Sequence, residues 1–322
     1  MQWIRLKEEA LAAGGCRVVG RLPEHAMADS TAGPGAGGRG AVFFSIGQGR
    51  VRLPIADEAP LTLVAYPDGR GVLHCGGEEI EGRIEPVGLH CPRQAFITVS
   101  PVCRYRCRYC SVPLREGRRR SIEECVDLVS KVRARIDAIA LTSGILESIE
   151  EESDYVCRVV RALTEFGLPI GVSIFPAADT PERLHALGVR EVKFNLETST
   201  PALFEQHCPG LPYDAVLDAL ASSVTLFGRG RVFSNVIVGL GESWDELSGC
   251  IDLLVGMGVV PVLRPLNPVA GCIGYGRPGT VLLDRAARHL QARLREAGFD
   301  GGGALTMCGA CTGCDIAPWR DL

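Results

Sequence analysis

The sequence predicts an α/β protein: a partial (β/α)6, TIM-like barrel over residues 91–298, with a small, mostly β appendage at 1–90 and a cysteine-rich tail at 299–322. Three observations predict it. From about Ala95 onward six strand-like apolar segments recur, at 95–100, 137–142, 169–175, 191–198, 231–240 and 259–266. Helical patterns separate them at 121–135, 153–166, 181–187, 213–227 and 242–257. Strands that alternate with helices form a parallel sheet, and six such units can curl into an incomplete barrel. The first ninety residues lack this alternation and read as short strands between turns.

The appendage begins with an amphipathic helix at 2–13. The run "DSTAGPGAGGRG" contains Gly35-x-Gly37-x-x-Gly40. It precedes a strand instead of following one and opening a helix, so it reads as a linker and not as a dinucleotide fingerprint. The strand-like pieces "AVFFSI", "RVRLPI", "LTLVAY", "GVLHC" and "EEIEGRIEPV" follow. The first barrel helix opens with "SIEE", a capping box on Ser121 and Glu124. "LTSG", with Ser143 and Gly144, closes the second strand.

In the fourth strand, "EVKFNLETS", Lys193, Asn195 and Glu197 share one face and Val192, Phe194 and Leu196 the other. If the apolar face packs on the helices, the polar one points into the barrel. Charge there is costly unless paired or used, so these are site candidates, with a Lys193–Glu197 salt bridge as the structural alternative. In "SNVIVGLGES", Gly239 and Gly241 allow close backbone approach, while Glu242 and Ser243 read as the start of the next helix. Arg264, near the end of the sixth strand, suits a carboxylate held bidentately or an internal ion pair. A last helix at 281–297 leads into the tail.

Composition narrows the function classes. Charged residues make up 22% of the 322 and the net charge is −4, which argues against general affinity for nucleic acid. Arg5, Lys7, Glu8 and Glu9 interrupt the amino terminus, so a signal peptide is not expected. No uncharged apolar run reaches membrane-spanning length, and the expected location is cytoplasmic, without a membrane partner. In such a reducing compartment fourteen cysteines are metal ligands, catalytic thiols or core residues before they are disulfides. Cys125, Cys157 and Cys250 fall in helical patterns and read as core thiols.

Six other cysteines form two knots. Cys103, Cys107 and Cys110, in "SPVCRYRCRYCSVP", occupy the loop after the first barrel strand. That is the end of a parallel barrel where chemistry collects. Three thiolates there suit zinc with a distant fourth ligand, or a [4Fe–4S] cluster that leaves one iron open. Cys308, Cys311 and Cys314, in "CGACTGCD", have the spacing that wraps one metal centre, a second [4Fe–4S] cluster or zinc. For the fourth ligand, Cys91 lies before the first strand, and six strand residues span roughly 20 Å, which puts it at the far end of the barrel. Cys272, after the sixth strand, is therefore the expected ligand, with an exogenous ligand or sulfide as the other option.

The reading Cys103-Arg-Tyr-Arg-Cys107-Arg-Tyr109-Cys110 resembles the C-x3-C-x-aromatic-C signature of the radical S-adenosylmethionine (radical SAM) enzymes. The resemblance implies that the open iron chelates S-adenosylmethionine (SAM), whose reductive cleavage gives a 5′-deoxyadenosyl radical that takes hydrogen from an aliphatic carbon. It implies Tyr109 near the adenine, and Ser143 and Gly144 at the turn that binds the methionine amino group, although Ile145 stands where the family has glutamate. Gly239 and Gly241 would lie against the adenine. "FNLETSTPALFEQHCPG" resembles the corresponding segment of biotin and lipoyl synthases, where Asn195 and Glu197 would touch SAM. In that branch sulfur insertion can draw on an auxiliary cluster, but classical lipoyl synthases carry those cysteines upstream of the barrel. Radical rearrangement or fragmentation in cofactor biosynthesis is the second reading. A non-catalytic iron–sulfur electron carrier or zinc-binding interaction protein is the alternative of another class. Expected partners are an electron donor such as ferredoxin or flavodoxin and a small-molecule or carrier-bound acyl substrate. Arg115, Arg118, Arg119 and Arg120, ahead of a helix amino terminus, read as a solvated charged loop before they hint at an acidic partner such as a carrier protein or electron donor.

Overall fold

A computed structural model describes residues 3–28, 40–268, 272 and 274–322. Gly35 and Gly37 of the glycine-rich run, and the first residue of the helix expected at 2–13, lie outside the described residues. The chain opens with α1 (Trp3–Ala13), then β1 (Cys16–Gly20), β2 (Ala41–Ile46), β3 (Gly49–Pro54), β4 (Leu61–Ala65), β5 (Arg70–Cys75) and β6 (Glu78–Ile84). These six strands make one sheet, ordered β1-β4-β5-β6-β2-β3, antiparallel throughout except for the β1–β4 pair. Leu61, Leu63 and Ala65 alternate inward along β4, the period-2 signature of a sheet with one wet face.

The second sheet carries the chemistry-bearing loops. It contains β7 (His90–Cys91), β8 (Gln94–Thr98), β9 (Ala138–Thr142), β10 (Ile170–Ser173), β11 (Glu191–Lys193), β12 (Val232–Val238) and β13 (Val260–Pro265). The order is β13-β12-β11-β10-β9-β8-β7; β8 to β13 run parallel as sequential neighbours, and β7 pairs antiparallel with β8. The connecting helices are α2 (Ile122–Val132), α3 (Ile149–Leu163), α4 (Thr180–Ala186), α5 (Pro201–His207), α6 (Tyr213–Phe227) and α7 (Trp244–Met257), followed by α8 (Thr280–Ala297). Every residue of β8, β9 and β12 is buried, as expected of parallel strands covered on both faces.

The Ser121/Glu124 capping box on α2 forms as read from sequence. A second one, Ser243 with Glu246, starts α7. Two boundaries differ from expectation by about four residues or more. α3 begins at Ile149 and not at 153, because Ser148 accepts a hydrogen bond from the Glu151 N–H and caps it there. β11 stops at Lys193 instead of running to 198, and Glu197 takes a left-handed backbone, φ 62°.

The tail folds as α9 (Met307–Cys311) and α10 (Pro318–Asp321). It runs beneath the amino ends of the parallel strands. The Gln94 amide bonds both backbone groups of Met307. The Glu191 carboxylate accepts from Leu305 N, Thr306 N and Thr306 Oγ1. A Cβ on Gly171 would lie 2.0 Å from Thr306 Oγ1, so only glycine admits the tail there. Residues of α1 and β3 hold the tail from the other side: Lys7 Nζ donates to Thr312 O at 2.7 Å and Arg52 N to Gly313 O at 2.7 Å. Among the described residues no helix is long and apolar enough to cross a membrane.

Candidate active site

The loop after β8 brings Cys103, Cys107 and Cys110 to one cavity at the carboxyl ends of the strands. Tyr109, Thr142, Ser143, Gly144, Ser173, Asn195 and Glu197 line it too. Local backbone holds two of the thiols: Ile145 N–H donates to Cys103 Sγ and Val112 N–H to Cys110 Sγ, each at 3.4 Å. Burial raises the Cys103 thiol and pushes Cys110 up to about 12. Cys107 is lowered instead, first by a hydrogen bond from Cys208. Cys208 keeps its proton, raised by that same bond and by burial, and its sulfur lies 3.4 Å from Tyr109 Oη. No local pattern marks Cys208 in the sequence, because only the fold brings residue 208 to residue 107.

The donor set fits an iron–sulfur cluster ligated at three corners: three thiols on one wall, two of them receiving backbone N–H groups that favour thiolate, and a cavity beside them. Among the described residues no three His, Cys, Asp or Glu side chains converge on a single ion position. Thiols spread around a cavity suit a polynuclear centre, whose ligands bind separate irons.

The polar face of the fourth strand does point inward. Lys193, Asn195 and Glu197 line a second cavity that shares Tyr109, Thr142, Ser173, Asn195 and Glu197 with the first and continues down the barrel. Val192, Phe194 and Leu196 are fully buried in the core. Lys193 does not pair directly with Glu197; its Nζ donates to Asn235 Oδ1 at 3.3 Å and to Cys308 Sγ at 3.1 Å. Asn195 Oδ1 accepts from Asn235 N–H. Burial lifts the Glu197 carboxyl to about 7, against the pull of the Lys193 and Arg264 charges.

The lower end of this second cavity is walled by Cys91, Cys308, Cys311 and Cys314 together. Cys91 is hydrogen-bonded to Cys311. Cys272, the expected companion of the tail thiols, is 1% exposed in the barrel core and is not on that wall. The reason is the course of the tail. It passes under the amino ends of the strands, so the far end that argued against Cys91 is the end where the tail thiols lie.

Other expected residues fall as follows. Ser143 Oγ accepts from Ser100 N–H and donates to Glu152. At Gly144 a Cβ would meet Val102 O at 2.1 Å. Gly239 and Gly241, both with positive φ, lie beside Leu266, Pro278 and Tyr275 and not on either cavity wall. Arg264 takes the ion-pair alternative, donating to Asp315 Oδ1 at 2.6 Å and to Cys308 Sγ at 3.3 Å. The arginine run is absorbed internally: Arg118 by Glu124, Arg119 by Glu151 and Glu152, Arg120 by Thr98 O, and Arg115 by Ser111 Oγ. First-turn acids of α2 and α3 supply most of those partners, so the run itself no longer argues for an acidic partner.

Fold and loop together define a parallel α/β half-barrel with a thiol-rich centre at its carboxyl end. Residues 97–254 match the Radical SAM superfamily. A radical SAM methyltransferase from Sphaerobacter thermophilus is 22% identical, with 77% of this chain and 76% of that one covered at a TM-score of 0.55. Methylornithine synthase is 18% identical, covering 63% of each chain at 0.53. The bacteriochlorophyllide c C-7(1)-hydroxylase of Chlorobaculum limnaeum is 30% identical over 118 residues, 34% of this chain. The match spans 29% of that relative's length. The superfamily match implies a [4Fe–4S] cluster and SAM. None of these relatives is by name a biotin or lipoyl synthase, so that branch gains no support from them.

Proposed function

We propose that the chain is a radical SAM enzyme that takes a hydrogen atom from an aliphatic carbon of a substrate held in the barrel lumen. Cys103, Cys107 and Cys110 would hold a [4Fe–4S] cluster, which would supply one-electron reductive cleavage of SAM, with the electron taken from a low-potential donor, as the source of a 5′-deoxyadenosyl radical. The observation that carries the reading is the continuity of the two cavities. The three-thiol wall opens, past Tyr109, Asn195 and Glu197, into a lumen that also holds Lys193 and Asn235.

The chain's own part is placement and shielding. Ile145 N–H and Val112 N–H orient Cys103 and Cys110. Glu197 and Asn195 stand where the two cavities meet and suit the polar groups of SAM. Tyr109, 7% exposed, walls that junction with its ring. Burial of the lumen face keeps water from a reactive radical. The relatives' names differ (hydroxylase, methyltransferase, synthase), so the proposal commits to hydrogen abstraction and not to sulfur insertion.

The test is anaerobic reconstitution followed by SAM and a low-potential reductant. Wild-type protein should release 5′-deoxyadenosine, and Cys103→Ala, Cys107→Ala and Cys110→Ala should each reduce it to the no-enzyme background. Reconstituted, iron-loaded wild type that yields none contradicts the proposal.

A further inference from the structure

The lower wall of the lumen has the makings of a metal site of its own. Cys91 comes from β7, at the entry to the barrel, and Cys308, Cys311 and Cys314 come from the tail more than two hundred residues later. The fold sets all four thiols on one cavity wall. Cys91 and Cys311 are hydrogen-bonded, and Cys91 is 1% exposed. Around them stand cations. Lys193 Nζ and Arg264 Nη2 both donate to Cys308 Sγ. Arg50 donates to Cys311 O at 2.8 Å. Arg52 is 6% exposed on the same wall, and its Nε and one terminal nitrogen have no hydrogen-bond partner. A buried guanidinium with idle donors is costly, which points to an anionic occupant of the cavity.

We infer that Cys91, Cys308, Cys311 and Cys314 ligate a second iron–sulfur cluster of the [4Fe–4S] type, with one thiolate on each iron. Four thiolates around such a cluster make a dianionic unit, and Lys193, Arg264 and Arg52 are the charges that offset it, with Arg52 directing its idle N–H groups at the cluster sulfurs. Four protein ligands leave no iron open. The centre therefore cannot bind SAM or anchor a substrate by direct coordination, which separates it in kind from the three-thiol site at the other end of the lumen. The inference does not rest on the proposed SAM chemistry, because its ligands and counter-charges are other residues than Cys103, Cys107 and Cys110.

The test uses the full chain carrying Cys103→Ala, Cys107→Ala and Cys110→Ala, reconstituted anaerobically, so that success or failure of SAM cleavage does not enter. This protein should keep about four irons and as many sulfides per chain, and its reduced EPR signal should not change when SAM is added. Adding Cys91→Ala, or Cys91→Ser to preserve volume, should strip one iron of its thiolate and so shift or remove that signal, with or without loss of iron; Cys314→Ala should do the same. Cys272→Ala should leave both unchanged. Matching unfolding transitions of the apo forms show that the variants fold. A reduced signal and an iron content both unchanged in Cys91→Ala or Cys314→Ala overturn the inference. So does an equal loss in Cys272→Ala, or zinc without labile sulfide in the parent.

Discussion

Glu8 shows how one buried carboxyl couples this fold to pH. It is 3% exposed in α1 and its Oε1 has no hydrogen-bond partner. Burial and the nearby Asp284 carboxylate lift it to about 7. The folded state therefore holds a proton that the unfolded chain releases above about 4.3. Stability from this group is complete below that value and falls as pH rises toward 7, by about 1.4 kcal/mol per pH unit at most. Glu8→Gln should leave apo-protein stability at pH 4 nearly unchanged and raise it at pH 8, as read by urea unfolding; equal effects at both pH values would contradict this. Single residues were readable where the signal is local. The alternation Lys193, Asn195, Glu197 survives in space even though β11 ends at Lys193: all three side chains line the same cavity. Cys91 and Cys208 were not readable, since each is defined by a partner far away in sequence.

At the scale of elements, α1 and α10 are joined by an ion pair with both side chains fully buried. Lys7 Nζ and Asp321 Oδ2 lie 2.7 Å apart, and Trp3 Nε1 donates to Asp321 Oδ1. Breaking one side of such a pair leaves an uncompensated charge in the interior. Lys7→Met should cost about 3–5 kcal/mol, and the double replacement Lys7→Met with Asp321→Asn should recover part of it. Denaturant titration of the apo proteins checks this; a loss below 1 kcal/mol for the single variant would show that Asp321 is satisfied without Lys7. Helix starts were legible where cap and third residue both appear, as at Ser121 and Glu124. The start of α3 was not, because the apolar pattern begins only after the acidic turn Glu150, Glu151, Glu152 that Ser148 caps.

For the whole molecule, the amino-terminal sheet and the carboxyl-terminal tail belong to one construction. Lys7, Arg50 and Arg52 hold residues 311–313 against the barrel floor, and Cys91 joins from the strand that links the appendage to the barrel. The parallel barrel was visible in the sequence because its hydrophobic pattern repeats within tens of residues. The role of the first ninety residues was not, because its contacts span about three hundred residues and leave no local period. The resulting lumen has a three-thiol wall at the carboxyl end, one ligand short of closing a [4Fe–4S] cluster, and a four-thiol wall at the amino end. The most direct measurement is the reduced EPR spectrum of Cys308→Ala, Cys311→Ala, Cys314→Ala protein, which isolates the loop cluster, recorded with and without SAM. A loop cluster with one open iron should give a signal whose g values shift when SAM is added. A reduced cluster whose spectrum is the same in both samples would contradict it.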